Sequence, residues 1–381
     1  MTKGQKTNLK NKAIKYRLYP TEGQEVFFAK SFGCCRKVWN LMLSDRIESY
    51  KATGTSVKKT PAKYKEEYPY LKEVDSLALA NVYMDLDRAY KNFFDKRSKF
   101  PKFKSLKKAR KAYTTNNQKG SITILDGKIK LPKVGLVKAK IHRQAPDNWV
   151  IKSVTISKSS DNKYYASVLF EFEEEAIKPS AFDTVIGLDY KSDGLYMDSN
   201  GNIGSNHKFY RESQKKLAKE QKRLSRKKGS KKNEAKSKNY LKQQERVNRI
   251  YRHIANQRLD NLHKLSNEIA NHYDVVCAEI LNLQNMSNKG FKNGKATMDN
   301  GYGMFLNMLK YKLKDRGKYF VKVDKFYPSS QICSKCGARH KLSLDERTYK
   351  CSCGHVMDRD LNAAINIKRE GLKLLLDRSA A

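Results

Sequence analysis

Two sets of side chains in this sequence have the types and spacing for metal chemistry. The first is sulfur. Cys333, Cys336, Cys351 and Cys353 fall in one twenty-one-residue window, out of seven cysteines in the chain. Thiols clustered this way, without a secretion signal, read as a metal site rather than a disulfide framework. The second pair is Cys-Ser-Cys, one residue shorter than Cys-x-x-Cys. Four thiolates still reach one tetrahedral Zn²⁺, because loop and side-chain adjustments absorb the missing residue. The other thiols read as packing: Cys277 lies mid-strand, and Cys34 and Cys35 are adjacent in a helical pattern, where a bridge is geometrically unfavourable.

The second set is oxygen. Asp189 follows the apolar run "TVIGL", Glu279 interrupts "VVCAEIL", and Asp360 opens a helix at "DLNAAINI". Taken alone, Asp360 reads as a helix N-cap. As a set, two carboxylates on adjacent strands and one at a helix start can converge on one point. Such a cluster repels itself unless divalent cations neutralise it. Mg²⁺ suits few carboxylates plus water and phosphate oxygens. Two ions about 3.5–4 Å apart activate a water and stabilise a leaving 3′-oxygen.

The elements needed to position these groups are legible in the hydrophobic periodicity. "AIKYRLYP" (13–20) reads as a strand ended by Pro20, and a helix follows from Thr21 as cap. A second helix is expected over 76–96. Residues 121–175 alternate as about five antiparallel strands, with turns at Asp126-Gly127 and Asp161-Asn162, and are expected to form a small barrel. A linker is expected over 176–183. After it, "TVIGLDYKSDGLYMDSNGNI" reads as two strands closed by Asn200-Gly201, and 207–270 as a helical pair broken near Gly229-Ser230. Then come a strand with Glu279, a helix ending at Gly317, a strand leading to the cysteines, and a final amphipathic helix. Strands, a strand with Glu, then a helix with Asp is the order of an RNase H-like nuclease fold.

The chain of 381 residues carries a formal net charge of +40, with 79 Lys and Arg against 39 Asp and Glu. Such an excess needs a polyanionic partner. The cations run from residue 3 to residue 378, whereas a membrane-surface binder concentrates them on a short amphipathic segment. Nucleic acid is the expected partner, bound through phosphates and counterion release. No run approaches the ~18 apolar residues of a membrane helix, and "MTKGQKTNLKNK" has no apolar signal-peptide core. A cytoplasmic, nucleoid-associated protein of prokaryotic type is expected. Two stretches are candidate contacts. "FPKFKSLKKARKAY", with Lys102, Lys104, Lys107, Lys108 and Arg110, suits phosphate contact plus base stacking, or else is a solvated loop anchored by its phenylalanines. "KKLAKEQKRLSRKKGSKK", with Arg223, Arg226, Lys227 and Lys228, has too few acids for i,i+4 balance and suits a nucleic-acid-facing hairpin better than an exposed charged helix.

The stretches "IGLDYKSDGLYMDSNG", "VVCAEILNLQNMSNKG", "DKFYPSSQICSKCG" and "CSCGHVMDRDLNAAINI" resemble the TnpB family, transposon-encoded nucleases ancestral to type V CRISPR effectors. "YRLYPTEGQEVFFAKSFGCCRKVWNLML" and "FPKFKSLKKAR" extend the likeness over nearly the whole chain. The resemblance implies an RNA-guided DNA endonuclease. Its guide RNA comes from the element's end, a short target-adjacent motif is read by the N-terminal half, and double-stranded DNA is cut at one RuvC-like site. It implies Asp189, Glu279 and Asp360 as the catalytic acids holding two Mg²⁺. The family pattern Asp-x-Asn-Ala-Ala selects Asp360 over Asp358. Arg359 is a candidate phosphate contact or a structural residue. Where many relatives have a glycine-containing turn after the first Asp, this chain has "DYKSDG", a departure at the rim of the site.

The implied architecture is multidomain α+β. A β-barrel, wedge-like domain spans 1–20 and 112–178, with a helical recognition region over 21–111. An RNase H-like (RuvC) α/β nuclease domain spans 179–330 and 354–381, including the basic hairpin 207–270. A zinc-binding insertion occupies 331–353. The alternatives are an RNA-guided DNA-binding regulator without cleavage, or a transposase or accessory protein of transposition. The oligomeric state is left open, with monomeric action compatible with the chain's size.

Overall fold

The structure, a computed structural model, describes residues 7–175, 179, 181–205, 207–227, 236–281, 299–343 and 346–380. Half of the expected linker (176–178 and 180), the hairpin break near Gly229-Ser230 and Lys228 lie outside the described residues. The chain divides into two compact units, Met1–Ala176 and Ile177–Ala381. No described helix is long and apolar enough to cross a membrane.

The first unit is built on a seven-stranded antiparallel sheet. Its strands are β1 (Thr7–Tyr19), β2 (Ala112–Asn116), β3 (Thr123–Leu125), β4 (Lys128–Leu131), β5 (Gly135–Lys140), β6 (Val150–Lys158) and β7 (Tyr164–Glu175), in the order β2-β6-β7-β1-β5-β4-β3. The expected barrel does not close. Its edges are β2 and the three-residue β3, and neither pairs with the other. The turn before β4 uses Gly127 at φ +64°, and that before β7 uses Asn162 at φ +58°.

Alternation along β1 sends Ile14, Tyr16 and Leu18 into the core and leaves Lys15 and Tyr19 exposed on the other face. Helix α1 (Glu22–Thr53) packs on the core face through Phe28, Phe32, Val38 and Leu43. Thr21 and Gln24 form a reciprocal capping box at its start, and Gly54 at φ +70° ends it. Helix α2 (Ser76–Phe94) is capped by Asp75. The buried Arg46 of α1 meets Asp87 of α2 at 2.6 Å.

The second unit holds a four-stranded sheet of β8 (Val185–Tyr190), β9 (Tyr196–Asp198), β10 (Val275–Glu279) and β11 (Tyr319–Val323), ordered β11-β10-β8-β9. β8, β10 and β11 are parallel, and β9 is antiparallel to β8. Beyond the Gly201 turn (φ +90°), Ile203 bridges back to Met197. Even-numbered residues of β8 and β10 (Ile186, Leu188, Val276, Ala278) pack on helices α4 (Lys238–His272) and α5 (Tyr302–Lys314). α4 forms a hairpin with α3 (Phe209–Arg226), tied by buried Gln243 donating to the Glu220 carbonyl (3.1 Å).

Odd-numbered residues face helix α6 (Arg359–Ala380). Two glycine contacts bring α6 close. A Cβ on Gly187 of β8 would lie 2.1 Å from the Ala364 carbonyl oxygen, and one on Gly371 of α6 would lie 2.3 Å from the Cys277 sulfur. Between β11 and α6, the hairpin β12 (Thr348–Lys350) and β13 (Val356–Asp358) carries two of the clustered cysteines at its turn.

Candidate metal centres and nuclease site

Pairing of β8 with β10 sets Gly187 opposite Cys277 and Leu188 opposite Ala278. The next residues are Asp189 and Glu279, side by side at the carboxyl ends of two parallel strands. That is where ligands bind in open α/β sheets. Both share the face of Gly187 and Cys277, across which α6 runs. Asp360 lies in the first turn of α6, and it is not the cap. Asp358 takes that role, accepting from the N–H groups of Asp360 (2.8 Å) and Leu361 (3.0 Å). The Asp360 carboxylate is thereby left for other partners.

Electrostatics ties the three acids together. Burial raises the Asp189 pKa well above the carboxylate range, and the charges of Asp360 and then Glu279 raise it further. Burial, then the charge of Asp324, pushes Glu279 up to about 7. The charges of Asp360 and Glu279 act on Asp189, yet the ligand oxygens of the three acids do not all lie within 4.8 Å of one another.

Several neighbours were not legible in the sequence. Lys191 holds Asp360 through Nζ at 2.5 Å from Oδ2, both groups largely buried. Burial works against its charge, yet the hydrogen bond and charge of Asp360 hold its pKa above the usual lysine value. It comes from the departing segment "DYKSDG", whose backbone is fixed by buried Asn300 donating to the carbonyls of Lys191 and Ser192 at 3.2 Å. Tyr302 is fully buried, and its hydroxyl has no hydrogen-bond partner among the described residues. Burial raises its pKa, and the charges of Asp189 and Glu279 raise it further. The side chains of Asp189, Glu279 and Asp360 offer only oxygen, the hard donor type that Mg²⁺ prefers. Arg359 donates to the Ser343 carbonyl (3.1 Å), and its charge lowers the Asp189 pKa against the burial effect.

Among the described residues, the four cysteines form the one group of three or more His, Cys, Asp and Glu ligand atoms lying within 4.8 Å of one another. Cys333 and Cys353 sulfurs are 3.7 Å apart, and Cys336 and Cys351 sulfurs 3.6 Å. Zn–S bonds of about 2.3 Å in a tetrahedron require S···S edges of ~3.8 Å, so the spacing fits zinc. The Cys-Ser-Cys loop closes in a turn one residue shorter: Gly354 N–H donates to the Cys351 carbonyl three residues back (3.0 Å), where Gly337 N–H donates to the Cys333 carbonyl four residues back (2.9 Å). Gly337 and Gly354, each just after a cysteine pair, have φ +79° and +78°. His340 Nε2 lies 3.3 Å from the Cys351 sulfur, a neighbour that the cysteine spacing does not announce. The remaining thiols are inert. Burial pushes Cys35 and Cys277 up to about 12, far from thiolate reactivity.

The basic candidates divide. Lys102, Lys107, Lys108 and Arg110 are exposed, as is Phe103. Lys104 is turned inward, its Nζ 3.5 Å from the Trp39 ring centroid, and burial lowers its pKa. The loop is anchored by Phe100, edge-on to Tyr90 and Phe93 of α2 (ring centroids 5.6 and 5.3 Å), and by α1. Trp39 Nε1 donates to the Lys102 carbonyl (3.1 Å), and Asn40 bonds both the N–H and the carbonyl of Lys104. Arg226 and Lys227 are exposed, while Arg223 pairs with Glu220 at 2.7 Å.

Three family models match: "Helix-turn-helix domain" over 8–55, "Probable transposase" over 167–290, and "Cas12f1-like, TNB domain" over 302–367. The first coincides with β1 and α1, a strand and one long helix. A "Putative RNA-guided DNA endonuclease" of Streptomyces pristinaespiralis is 34% identical over 374 residues, covering 95% of this chain and 89% of its own. The chain belongs to the TnpB family. A second member, "Putative RNA-guided DNA endonuclease InsQ" of Escherichia coli K12, is 31% identical over 387 residues, covering 95% of this chain and 93% of its own. Among solved structures, the Cas12f1 chain of a cryo-EM complex with sgRNA and target DNA superimposes with a TM-score of 0.57. It covers 95% of this TnpB-family chain and 99% of its own at 13% identity, a likeness of fold.

Proposed function

We propose that this chain is a transposon-encoded RNA-guided DNA endonuclease that hydrolyses phosphodiesters at Asp189, Glu279 and Asp360. The observation that carries the proposal is geometric. Two carboxylates stand side by side at the ends of parallel strands, under a helix whose first turn carries the third. The sheet order, with β9 antiparallel and β10 and β11 parallel to β8, is that of an RNase H-like nuclease core. The family names and the Cas12f1-like fold support the same reading.

Asp189, Glu279 and Asp360 would hold two Mg²⁺, and Cys333, Cys336, Cys351 and Cys353 one structural Zn²⁺. Bound magnesium would activate a water and stabilise the leaving 3′-oxygen, giving 5′-phosphate and 3′-hydroxyl ends. The chain's own groups prepare that site. Burial and the charges of Asp360 and Glu279 favour the protonated form of Asp189, and arriving positive charge would favour its ionised form. Lys191 neutralises Asp360 until then, and Arg359, fixed on Ser343, offers positive charge beside Asp189. Apolar α4 and α5 residues exclude water from the far side of the sheet.

Sequence choice is delegated to pairing with the guide RNA, while the protein grips backbones. Support comes from the sheet face away from α1. Lys15 and Arg17 lie over the Tyr165 ring (4.4 and 5.2 Å), and Lys140 and Lys138 pair in register with Arg17 and Tyr19. Cations interleaved with aromatic rings suit phosphates and bases. Exposed Lys102, Phe103, Lys107, Lys108, Arg110, Arg226 and Lys227 extend the candidate contacts. We place the protein with nucleic acid in a prokaryotic-type cytoplasm.

The test is cleavage of a guide-matched duplex by the protein purified with its RNA. Cutting should require Mg²⁺ and disappear in Asp189→Ala. A variant that still cuts refutes the three-acid site. If no discrete structured RNA copurifies, the guide model fails, and strand transfer in transposition takes its place.

A further inference from the structure

Helix α6 presents a polar stripe, Asn362, Asn366 and Arg369, where the rest of its buried surface is apolar. These positions are i, i+4 and i+7, one face of a helix. Asn362 and Asn366 are 0% and 2% exposed. Asn362 Oδ1 accepts from the Ser334 N–H (2.9 Å), and its Nδ2 donates to the Ile332 carbonyl (2.7 Å). Asn366 Nδ2 donates to the carbonyls of Ser329 (2.8 Å) and Ile332 (2.6 Å). The Arg369 guanidinium donates to the Ser334 carbonyl. All these bonds fall on the backbone leading to and flanking Cys333. Ser334 Oγ continues the chain of contacts to His355 Nε2 (3.2 Å), in the loop of Cys353.

Buried amides are retained at a cost unless their polar atoms are paired. Here they are paired with the backbone of a short hairpin, whose own bonds (Cys333 N–H to the Ala338 carbonyl and His340 N–H to the Gln331 carbonyl, each 2.8 Å) do not reach α6. An apolar stripe would pack α6 on the sheet equally well, but would leave the Cys333 hairpin without these bonds to the helix. The same helix starts, two residues before Asn362, with Asp360. The thiolate cluster and the carboxylate cluster are thus joined through one rigid element.

We propose that Asn362 and Asn366 are positioning residues that couple the four-cysteine site to the acid site. An ion seated among the cysteines orders the Cys333 loop, the asparagines transmit that order to the first turn of α6, and the turn sets the Asp360 carboxylate. The proposal rests on Asp189, Glu279 and Asp360 being the magnesium site and on the cysteines holding zinc. Coupling of binding is reciprocal, so magnesium must also tighten zinc.

The experiment measures the rate of zinc loss from the full-length protein–RNA complex to a chromogenic chelator that ignores magnesium, with and without saturating Mg²⁺. In the parent, Mg²⁺ should slow zinc loss by about fivefold or more. In Asn362→Ala/Asn366→Ala, zinc should leave faster and its rate should no longer respond to Mg²⁺. A general loss of stability would speed release but leave the response intact, and that outcome overturns the proposal. So does a parent whose zinc loss ignores Mg²⁺. Asp360→Asn separates the premises: a variant that keeps the response refutes the acid site rather than the asparagine link. If the double variant does not fold, Arg369→Gln replaces it, with a partial loss of response expected and an unchanged response refuting the stripe's role.

Discussion

Glu279 gives the sharpest test of how the acid site is built. Its pKa of about 7 arises from burial first and from Asp324 second. An unfolded glutamate titrates near ~4.3. The folded state therefore binds the proton more tightly, and stability falls as pH rises from the unfolded value to the folded one, then levels off. The difference between ~4.3 and about 7 is worth at most ~3.7 kcal/mol, and solvent screening of this half-buried side chain brings the expectation to ~2 kcal/mol. Glu279→Gln removes the titration. Without added Mg²⁺, the variant should match the parent at about pH 4, where both carry a neutral side chain, and exceed it by ~2 kcal/mol at about pH 8.5. For a unit of this size that is a rise of about 4–8 °C in the melting temperature. Added Mg²⁺ should close the gap by stabilising the parent alone. Thermal melts at the two pH values, with and without Mg²⁺, measure all four numbers. An effect of Glu279→Gln that is the same at both pH values refutes the burial argument.

Other consequences follow from the same geometry. Because the pKa values of Asp189 and Glu279 are raised, that of Glu279 to about 7, Mg²⁺ binding should release protons at about pH 7 and fewer at higher pH. Calorimetry in buffers of different ionisation enthalpy reads this, and no release contradicts the raised pKa values. Gly187→Ala should destabilise the second unit by about 2–3 kcal/mol, because its Cβ meets the Ala364 carbonyl of α6; a melting temperature within a degree of the parent's would remove the close-packing argument. Replacing Lys107, Lys108 and Arg110 by Ala should flatten the log–log salt dependence of RNA binding by ~0.7–0.9 per lost phosphate contact. Lys104→Ala should leave that slope unchanged and instead lower stability through its lost packing on Trp39.

The parts that were legible in the sequence are those governed by short-range pattern. Alternation announces β1 and β4–β7, the Asp126-Gly127 and Asp161-Asn162 turns appear where positive φ is needed, and a carboxylate inside an apolar run marks the end of a buried strand. The cysteine window is legible for the same reason, since zinc ligands sit close in sequence. The open sheet was not legible, because closure depends on whether β2 and β3 meet, and no local pattern records the pairing of two edges. The packing of Lys104 on Trp39 was not legible either, because composition cannot tell a lysine over an indole ring from one facing water.

The least legible contacts are the ones that make the acid site work, and there is a physical reason. Lys191 reaches Asp360, and Tyr302 feels the charges of Asp189 and Glu279, across more than a hundred and sixty and roughly twenty to a hundred residues of intervening chain. A carboxylate that must stay ready for a cation cannot be satisfied locally, since a local hydrogen bond would hold it as Asp358 is held by the backbone of α6. Its partners therefore come from elements brought in by the fold, as Lys191 reaches Asp360 from the loop after β8. The sequence marks such a carboxylate by what its surroundings lack, a nearby donor, and only the assembled sheet supplies what stands beside it. Asp358 and Asp360, two residues apart in "MDRD", separate on this criterion alone: one is spent on capping the helix, and the other is left to meet a charge from across the fold.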